Sequence, residues 1–380
     1  MSSHPIASAG VAHSQDQERP SDTGGPRPKF NTGAHGLRGI AALMVMLAHI
    51  FGGTAEHIYS DSGSYVSLVE RPWLLGIHGV ELFFVISGYV IWPSAQRYSF
   101  KQFFLRRFFR LYPLFAALSL LFVVLNLATN AYPHTNNWQS VVSGFLFLNL
   151  FTGTEQLTPN AWSLTYEVVF YLLAATVVAA RREGGTVAME FLAYGLCLAF
   201  LFAFPIASYF VAGILIRSLH GKVTHERGTI RILEIAALIG MVISATQRHY
   251  EYDWADFTEA PLLLTILFTA LYFYAAIDER SFTARFLSAK WALYLGTISY
   301  SLYLVHPYTY FTARLAFERL GLFTPNIPAS MALFTIVVSA GSLLASHFVH
   351  ITLEVWPYKR FFRQPIYREK TAQDEPGIAK

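Results

Sequence analysis

The sequence predicts an all-α, polytopic integral membrane protein with about ten transmembrane helices and both termini on the cytoplasmic side. Three observations carry this. Of 380 residues, 54% are hydrophobic and only 14% are charged, whereas soluble domains run roughly 45–50% apolar and about 25% charged. So few charges cannot cover a soluble fold of this size. Apolar runs of spanning length recur along the chain, a bilayer-crossing helix needing roughly 20 mostly apolar residues. Finally, Lys and Arg sort to one face of the resulting topology. A mean hydropathy of +0.39 agrees, and an aromatic content of 16% suits ring belts at the membrane interfaces.

Taken in order, residues 1–36 carry Pro5, Pro20, Pro26, Pro28 and the pair Gly24-Gly25, with mixed charges and no apolar run. They read as a disordered cytoplasmic tail without a cleavable signal peptide. Candidate spans follow at 37–53, 76–92, 112–129, 161–180, 186–203, 205–219, 229–246, 259–277, 290–311 and 328–352. Residues 37–355 thus form one membrane domain, and 356–380 a basic cytoplasmic tail. The span 205–219 is short, and Pro205 sets a tight turn with its predecessor. Ser140–Phe151 is apolar but too short to cross, and reads as re-entrant or interfacial.

Orientation follows from the basic residues. With the N-terminus inside, all of the 28 Lys and Arg except Arg71, Arg248, Arg314 and Arg319 fall on the inner side. Were Ser140–Phe151 to cross, most downstream positive charges would invert. The net charge of +4 and pI of about 9.0 are thereby explained by membrane orientation, without nucleic acid as a partner. The lone Cys197 excludes an internal disulfide and reads as an inert packing residue.

An ionisable group at mid-bilayer costs about 2.5–3.5 kcal/mol on insertion scales, so each one asks for a partner or a task. In GLRGIAALMVMLAHI, Arg38 and His49 are 11 residues apart. That is about 20° beyond three helical turns, so they share a face roughly 16 Å apart along the axis. One end offers an anion-binding guanidinium, the other a general base; the plainer reading is a snorkelling Arg and an interfacial His. Glu81, in GVELFFVISGYVI, opens the second span on the same outer side as His49. It reads either as the carboxylate orienting that base or as a charge favoured by the helix dipole. Ser87-Gly88 in the same span allows close packing or a bend.

The inner loop FFLRRFFRLYP places Arg106, Arg107 and Arg110 ahead of Pro113. Guanidinium forks suit phosphate, although the positive-inside rule alone also accounts for them. In NAWSLTYEVVFY, Trp162 reads as an interfacial anchor and Ser163 as a helix cap rather than a nucleophile, since no elbow motif surrounds it. Glu167, about one and a half turns further on, asks for a partner inside the bundle. GTISYSLYLVHPY carries Tyr300, Ser301, Tyr303 and His306, whose polar groups can bond between helices. Glu354 ends the last span, and the acidic stretch Gln247–Thr258 reads as a solvated outer loop. His347 and His350 lack a third ligand, so no metal site is assigned, and no P-loop, dinucleotide fingerprint or HExxH occurs.

These segments, in this order, resemble the membrane acyltransferase 3 family, integral membrane O-acyltransferases that modify lipopolysaccharide, exopolysaccharide, Nod factors and similar glycans. The resemblance covers about residues 35–360. Its most specific element is Arg38-Gly39 followed by His49. GVELFFVISGYVI, FFLRRFFRLYP, WSLTYE and ISYSLYLVHP match the later motifs. Where the family commonly has Asp before Gly-Leu-Arg-Gly, this chain has His35. A C-terminal hydrolase-like domain found in some members is also expected to be absent.

The resemblance implies an acyl donor, by default acetyl-CoA, at the cytoplasmic side, with no permanently bound cofactor, and a carbohydrate or glycolipid hydroxyl as acceptor. Arg38, Arg106, Arg107 and Arg110 would meet the anionic donor. His49, oriented by Glu81, would serve as base or brief acyl carrier, and Glu167 and Tyr303 would line the acceptor side. A bacterial inner membrane is the expected location. The rival reading is a transporter or flippase of a glycolipid, disfavoured by the lack of an internal repeat.

Overall fold

The computed structural model describes residues 30–182, 185–222 and 225–362. Among them there is no strand. The helices are α1 (Thr32–His57), α2 (Gly63–Ile77), α3 (Gly79–Arg97), α4 (Phe100–Thr129), α5 (Trp138–Phe145), α6 (Asn149–Thr152), α7 (Trp162–Ala180), α8 (Val187–Ala203), α9 (Ser208–Leu219), α10 (Arg227–Ala245), α11 (Ala260–Ala276), α12 (Phe282–Leu287), α13 (Lys290–Leu320), α14 (Ile327–Val349) and α15 (Trp356–Phe362).

Six helical stretches among the described residues are long and apolar enough to cross a membrane. They become seven if α8 and α9, bent by 120° about Pro205, count as one. The chain is therefore an all-helical, multi-pass membrane protein. Each expected span falls on a helix, but α13 is kept out of the apolar set by its own Ser, Tyr, His and charged residues. At 17 residues α11 is short for a full crossing.

The long helix α1 organises the bundle, packing along α13, α2 and α3. Its closest approach to α13 needs glycine on both sides: a Cβ on Gly39 would lie 2.6 Å from the Gly296 nitrogen. Helices α3 and α9 meet in the same way, where a Cβ on Gly88 would lie 2.1 Å from the Phe210 carbonyl oxygen. Backbones this close leave no slack, so the two crossings fix the rotation of α1 and α3.

Three boundaries differ from the sequence reading. Helix α1 begins inside the expected tail, because the Asn31 side chain accepts from the Ala34 N–H at 2.8 Å and its amide donates to the Ile277 carbonyl at 2.9 Å. Residues 1–29 of that tail lie outside the described residues. FFLRRFFRLYP is helix rather than loop: Ser99 caps α4 through the Gln102 N–H at 3.3 Å, and the helix runs on through Pro113.

The last helix also continues past its expected end at 352 and past the expected domain boundary at 355. A wide π turn, His350–Val355, joins α14 to α15. It stands just ahead of Pro357, which has no N–H and whose ring would crowd the carbonyl four residues back. Residues 363–380 of the expected basic tail lie outside the described residues. Ser140–Phe151 forms no long helix but the short α5 and α6, separated by Phe147 at φ +56 and held by stacking of Phe147 on Phe115 at 4.3 Å.

Candidate active site

His49 lies in the later half of α1. Its Nδ1 is 2.8 Å from the Val45 carbonyl oxygen, one turn back. A carbonyl only accepts, so Nδ1 carries the proton, and in the neutral ring Nε2 is the lone pair. Nε2 has no hydrogen-bond partner among the described residues. Beside it stands His306 of α13, with Nε2 3.3 Å from His49 Nδ1 and ring centroids 5.1 Å apart. The same logic fixes His306. Its Nδ1 donates to the Leu302 carbonyl at 2.9 Å, leaving Nε2 as an acceptor.

That acceptor is met by Asn160, whose amide nitrogen is 3.0 Å from His306 Nε2 and 3.0 Å from the Tyr303 carbonyl oxygen. Asn160 sits on the short turn Pro159–Ala161 that leads into α7. The Tyr303 hydroxyl returns the tie, donating to the Asn160 carbonyl at 2.8 Å and standing 2.9 Å from Ser163 Oγ. Four of the sequence-predicted residues, His49, His306, Tyr303 and Ser163, are thus brought together. Asn160, which the sequence reading missed, is the knot between them.

Glu81 is placed differently from the expectation. It is buried in the first turn of α3, but its Oε1 accepts from the Tyr252 hydroxyl at 2.7 Å, and its Oε2 is 3.7 Å from His78 Nδ1. No hydrogen bond joins it to His49; the orienting groups of that ring are the Val45 carbonyl and His306. His78 in turn reaches Thr269 Oγ1 at 2.9 Å.

The loop supplying Tyr252 was expected to be merely solvated. Instead it folds around Asp256, whose Oδ2 accepts from the Glu251 and Tyr252 N–H groups at 2.8 and 2.9 Å while Oδ1 meets Arg248. Tyr252 is held at φ +58, a left-handed conformation uncommon for a side chain this bulky. Burial first, and then the Glu81 carboxyl, push the Tyr252 phenol well above its ordinary range, so it remains a donor.

Two cavities meet at this place. One, of about 670 Å3, is lined by Glu81, Tyr252, Trp162, Tyr166, Trp254 and Tyr303 among others. The second, of about 1120 Å3, lies between α1, α2, α4 and α13. His49, Trp73, Ile77 and Asn160 line both, so His49 forms part of the waist between them.

Other predicted residues stand apart. Glu167 lines none of these cavities; it accepts from Ser87 Oγ at 2.7 Å and from the Tyr171 hydroxyl, joining α3 to α7. Ser301 donates to Glu354, which is fully buried on the π turn with His350 Nδ1 at 3.2 Å. Tyr300 donates to the Leu111 carbonyl of α4 at 2.7 Å. Arg106 donates to the Tyr358 hydroxyl at 3.0 Å and lies over the Tyr98 and Phe362 rings. Arg107 donates to Ser94 Oγ at 3.0 Å and lies over the Phe103 and Tyr171 rings. Arg110 follows Arg106 by one turn on α4. Arg38, near the start of α1, lies roughly 16 Å along the axis from His49. No cluster of three or more potential metal ligands occurs among the described residues.

The model of the acyltransferase domain family, acyltransferase 3, matches residues 31–347 of this chain. The chain belongs to the acyltransferase 3 family. Curated relatives include the O-acetyltransferase OatA of Staphylococcus aureus, 25% identical over 330 residues, which are 73% of this chain and 50% of the relative. The acyltransferase MdmB of Streptomyces mycarofaciens is 30% identical over 145 residues, 36% of each chain. The peptidoglycan O-acetyltransferase OatA of Listeria monocytogenes is 26% identical over 165 residues, 38% of this chain and 24% of the relative. The chain spans half or less of the length of these relatives. No solved structure matches it. The family match begins one residue before α1 and takes in every residue of the His49–His306–Asn160 junction.

Proposed function

We propose that this acyltransferase 3 protein transfers an acyl group, acetyl from acetyl-CoA, to a hydroxyl of a cell-surface or exported carbohydrate. It would do so in a bacterial cytoplasmic membrane, with ten spans and both termini inside. The observation that carries the reading is the bare Nε2 of His49 at the waist of the two cavities, its ring fixed by Val45 and His306. Family membership and the O-acetyltransferase names of the relatives supply the acyl class.

In this reading the acceptor hydroxyl gives its proton to His49 Nε2 as its oxygen attacks the thioester carbonyl. The new O–C bond forms, the C–S bond breaks, and the imidazolium returns the proton to the departing thiolate. Charge on the imidazolium is met at Nδ1–H by the Val45 carbonyl and by His306 Nε2, a role that a carboxylate often fills. Arg38, Arg106, Arg107 and Arg110, at the opposite end of the bundle from His49, suit the phosphates of the donor.

The test is purified protein in lipid nanodiscs with [14C]acetyl-CoA and a glycan acceptor. Label appearing on the glycan supports the reading. In proteoliposomes, glycolipid translocation without label transfer would refute it in favour of a transporter.

A further inference from the structure

Glu81 lines the smaller cavity, and the acyl transfer set out above gives it no part. Its Oε1 accepts from the Tyr252 hydroxyl. Its Oε2 is buried without a hydrogen-bond partner among the described residues. His78 Nδ1 stands 3.7 Å from that oxygen, too far for a hydrogen bond. The tautomer of His78 follows from its other nitrogen. The Thr269 hydroxyl commits its one hydrogen to the Thr265 carbonyl at 2.6 Å, so toward His78 it is an acceptor. His78 Nε2, 2.9 Å away, therefore carries the ring proton. Nδ1 is then a lone pair, and it faces the lone pairs of Glu81 Oε2.

Two facing acceptors in a buried place repel unless a proton lies between them. That proton makes either an imidazolium beside a carboxylate or a neutral imidazole beside a carboxylic acid. The surroundings favour the second. The side chains of His78 and Glu81 are 4% and 9% exposed, and two charges taken out of water recover their solvation only in close geometry, which 3.7 Å does not offer. Among the described residues no Lys or Arg pairs with Glu81. Arg248, a cation on the same cavity, is engaged by Asp256 and Glu259. The other ionisable groups near Glu81 are the phenols of Tyr209 on α9, Tyr252 on the loop before α11 and Tyr303 on α13, with His49 of α1 on the shared cavity wall. Nor is the first turn of α3 an open helix start that would hold a charge, since α2 and α3 run on as one span of 35 residues.

We propose that Glu81 stands in the smaller cavity as a neutral carboxylic acid, positioned by His78 and Tyr252, and that its Oε2–H donates a hydrogen bond to an oxygen of the sugar bound there. The identity of that ligand rests on the acyl-transfer reading. A carboxylate only accepts; an acid accepts through Oε1 and donates through Oε2. The difference matters to the chemistry. As His49 takes the acceptor's proton, negative charge grows on the attacking oxygen. A carboxylate in the same cavity opposes that charge, whereas a neutral donor supports it. Glu81 thereby has a task of its own, separate from orienting His49.

The test is infrared difference spectroscopy of the protein in nanodiscs at neutral pH, wild type against Glu81→Gln. A carboxylic-acid C=O band that shifts in D2O and is missing from Glu81→Gln supports the neutral acid. Carboxylate bands alone in the difference spectrum overturn it. Thermal unfolding checks that the variant folds, and Glu81→Asp, whose acid band is displaced rather than lost, serves in its place if it does not. Methyl glycosides of glucose, galactose and N-acetylglucosamine are then added to the wild-type protein. A downward shift of the Glu81 band with at least one of them supports the hydrogen bond to sugar, and a band unmoved by all three overturns it.

Label transfer from [14C]acetyl-CoA gives a second readout. In Glu81→Ala the KM for the glycoside should rise about tenfold with KM for acetyl-CoA unmoved. Glu81→Gln, whose amide keeps a donor and an acceptor, should recover most of that loss. A Glu81→Gln protein as impaired as Glu81→Ala would show that the charge is required and overturn the proposal. An acid band that shifts with sugar, without label transfer by the wild type, keeps the proton and the sugar contact and removes the enzyme reading alone.

Discussion

The imidazole of His49 is held by a backbone carbonyl and a second imidazole, not by a carboxylate. Asn160 holds that second ring in place, so Asn160→Ala should leave His306 Nε2 without its amide donor and free the ring to turn. We expect kcat for acetyl transfer to fall about tenfold with KM for acetyl-CoA little changed, and Asn160→Gln to rescue poorly because its longer arm misplaces the amide. Steady-state kinetics on membranes of equal protein content checks this. Tyr252→Phe strips the buried Glu81 of its hydroxyl donor at Oε1. An unmade buried hydrogen bond costs about 1–3 kcal/mol, so the thermal midpoint of the purified protein should fall. An unchanged midpoint would show that water replaces the phenol.

These residues were unequally legible. Arg38 and His49 are visible because both lie on one helix, where spacing alone fixes their face. Glu81 was visible as a costly carboxylate, but its partner was not, since Tyr252 lies 171 residues further along the chain and pairing at that range leaves no local pattern. Asn160 opens the quoted NAWSLTYEVVFY and was passed over because its partners, Tyr303 and His306, lie 143 and 146 residues further along the chain.

At the level of helices, the crossing of α1 and α13 brings His49 to His306. Gly39 is the residue that permits it, which gives the Arg38-Gly39 pair a packing role beside any electrostatic one. Gly39→Val would drive its side chain into the backbone of Leu295 and Gly296. Overpacking of this kind costs about 1–3 kcal/mol, and separation of the helices should reduce acetyl transfer more than it reduces stability. Gly39→Ala should show the same effects at smaller size. Near-wild-type transfer by a folded Gly39→Val protein would show that the His49–His306 contact is dispensable.

The helices themselves were largely readable from apolar runs, and Ser87-Gly88 was readable as a site of close packing, which Gly88 provides against α9. The start of α4 was not, because Arg106, Arg107 and Arg110 look like a loop when hydropathy is the guide. Ser99 caps them into a helix, and Tyr358, Ser94 and neighbouring rings engage Arg106 and Arg107.

For the molecule as a whole, the proposed ten-span topology predicts a labelling pattern. Cys197 is the single cysteine, so a Cys197→Ala background accepts one probe cysteine at a time. In intact cells, a membrane-impermeant maleimide is expected to label cysteine at Ser62 and at Thr258 but not at Lys222 or Ser288. Labelling at Ser288 in intact cells would invert the second half of the bundle. The assignment of inner and outer faces rests on charge placement, and this labelling tests it. The paired cavities were not legible in the sequence, because a cavity is a property of how helices with unrelated sequences lean together.

Whether His49 Nε2 takes the acceptor's proton is tested most directly by the rate of acetyl transfer from [14C]acetyl-CoA in His49→Ala and wild-type membranes at equal protein abundance. Loss of a general base lowers rates roughly 10²–10⁴-fold, so a fall in that range is expected. A His49→Ala rate within about twofold of wild type, far short of that loss, would show that His49 is not the base.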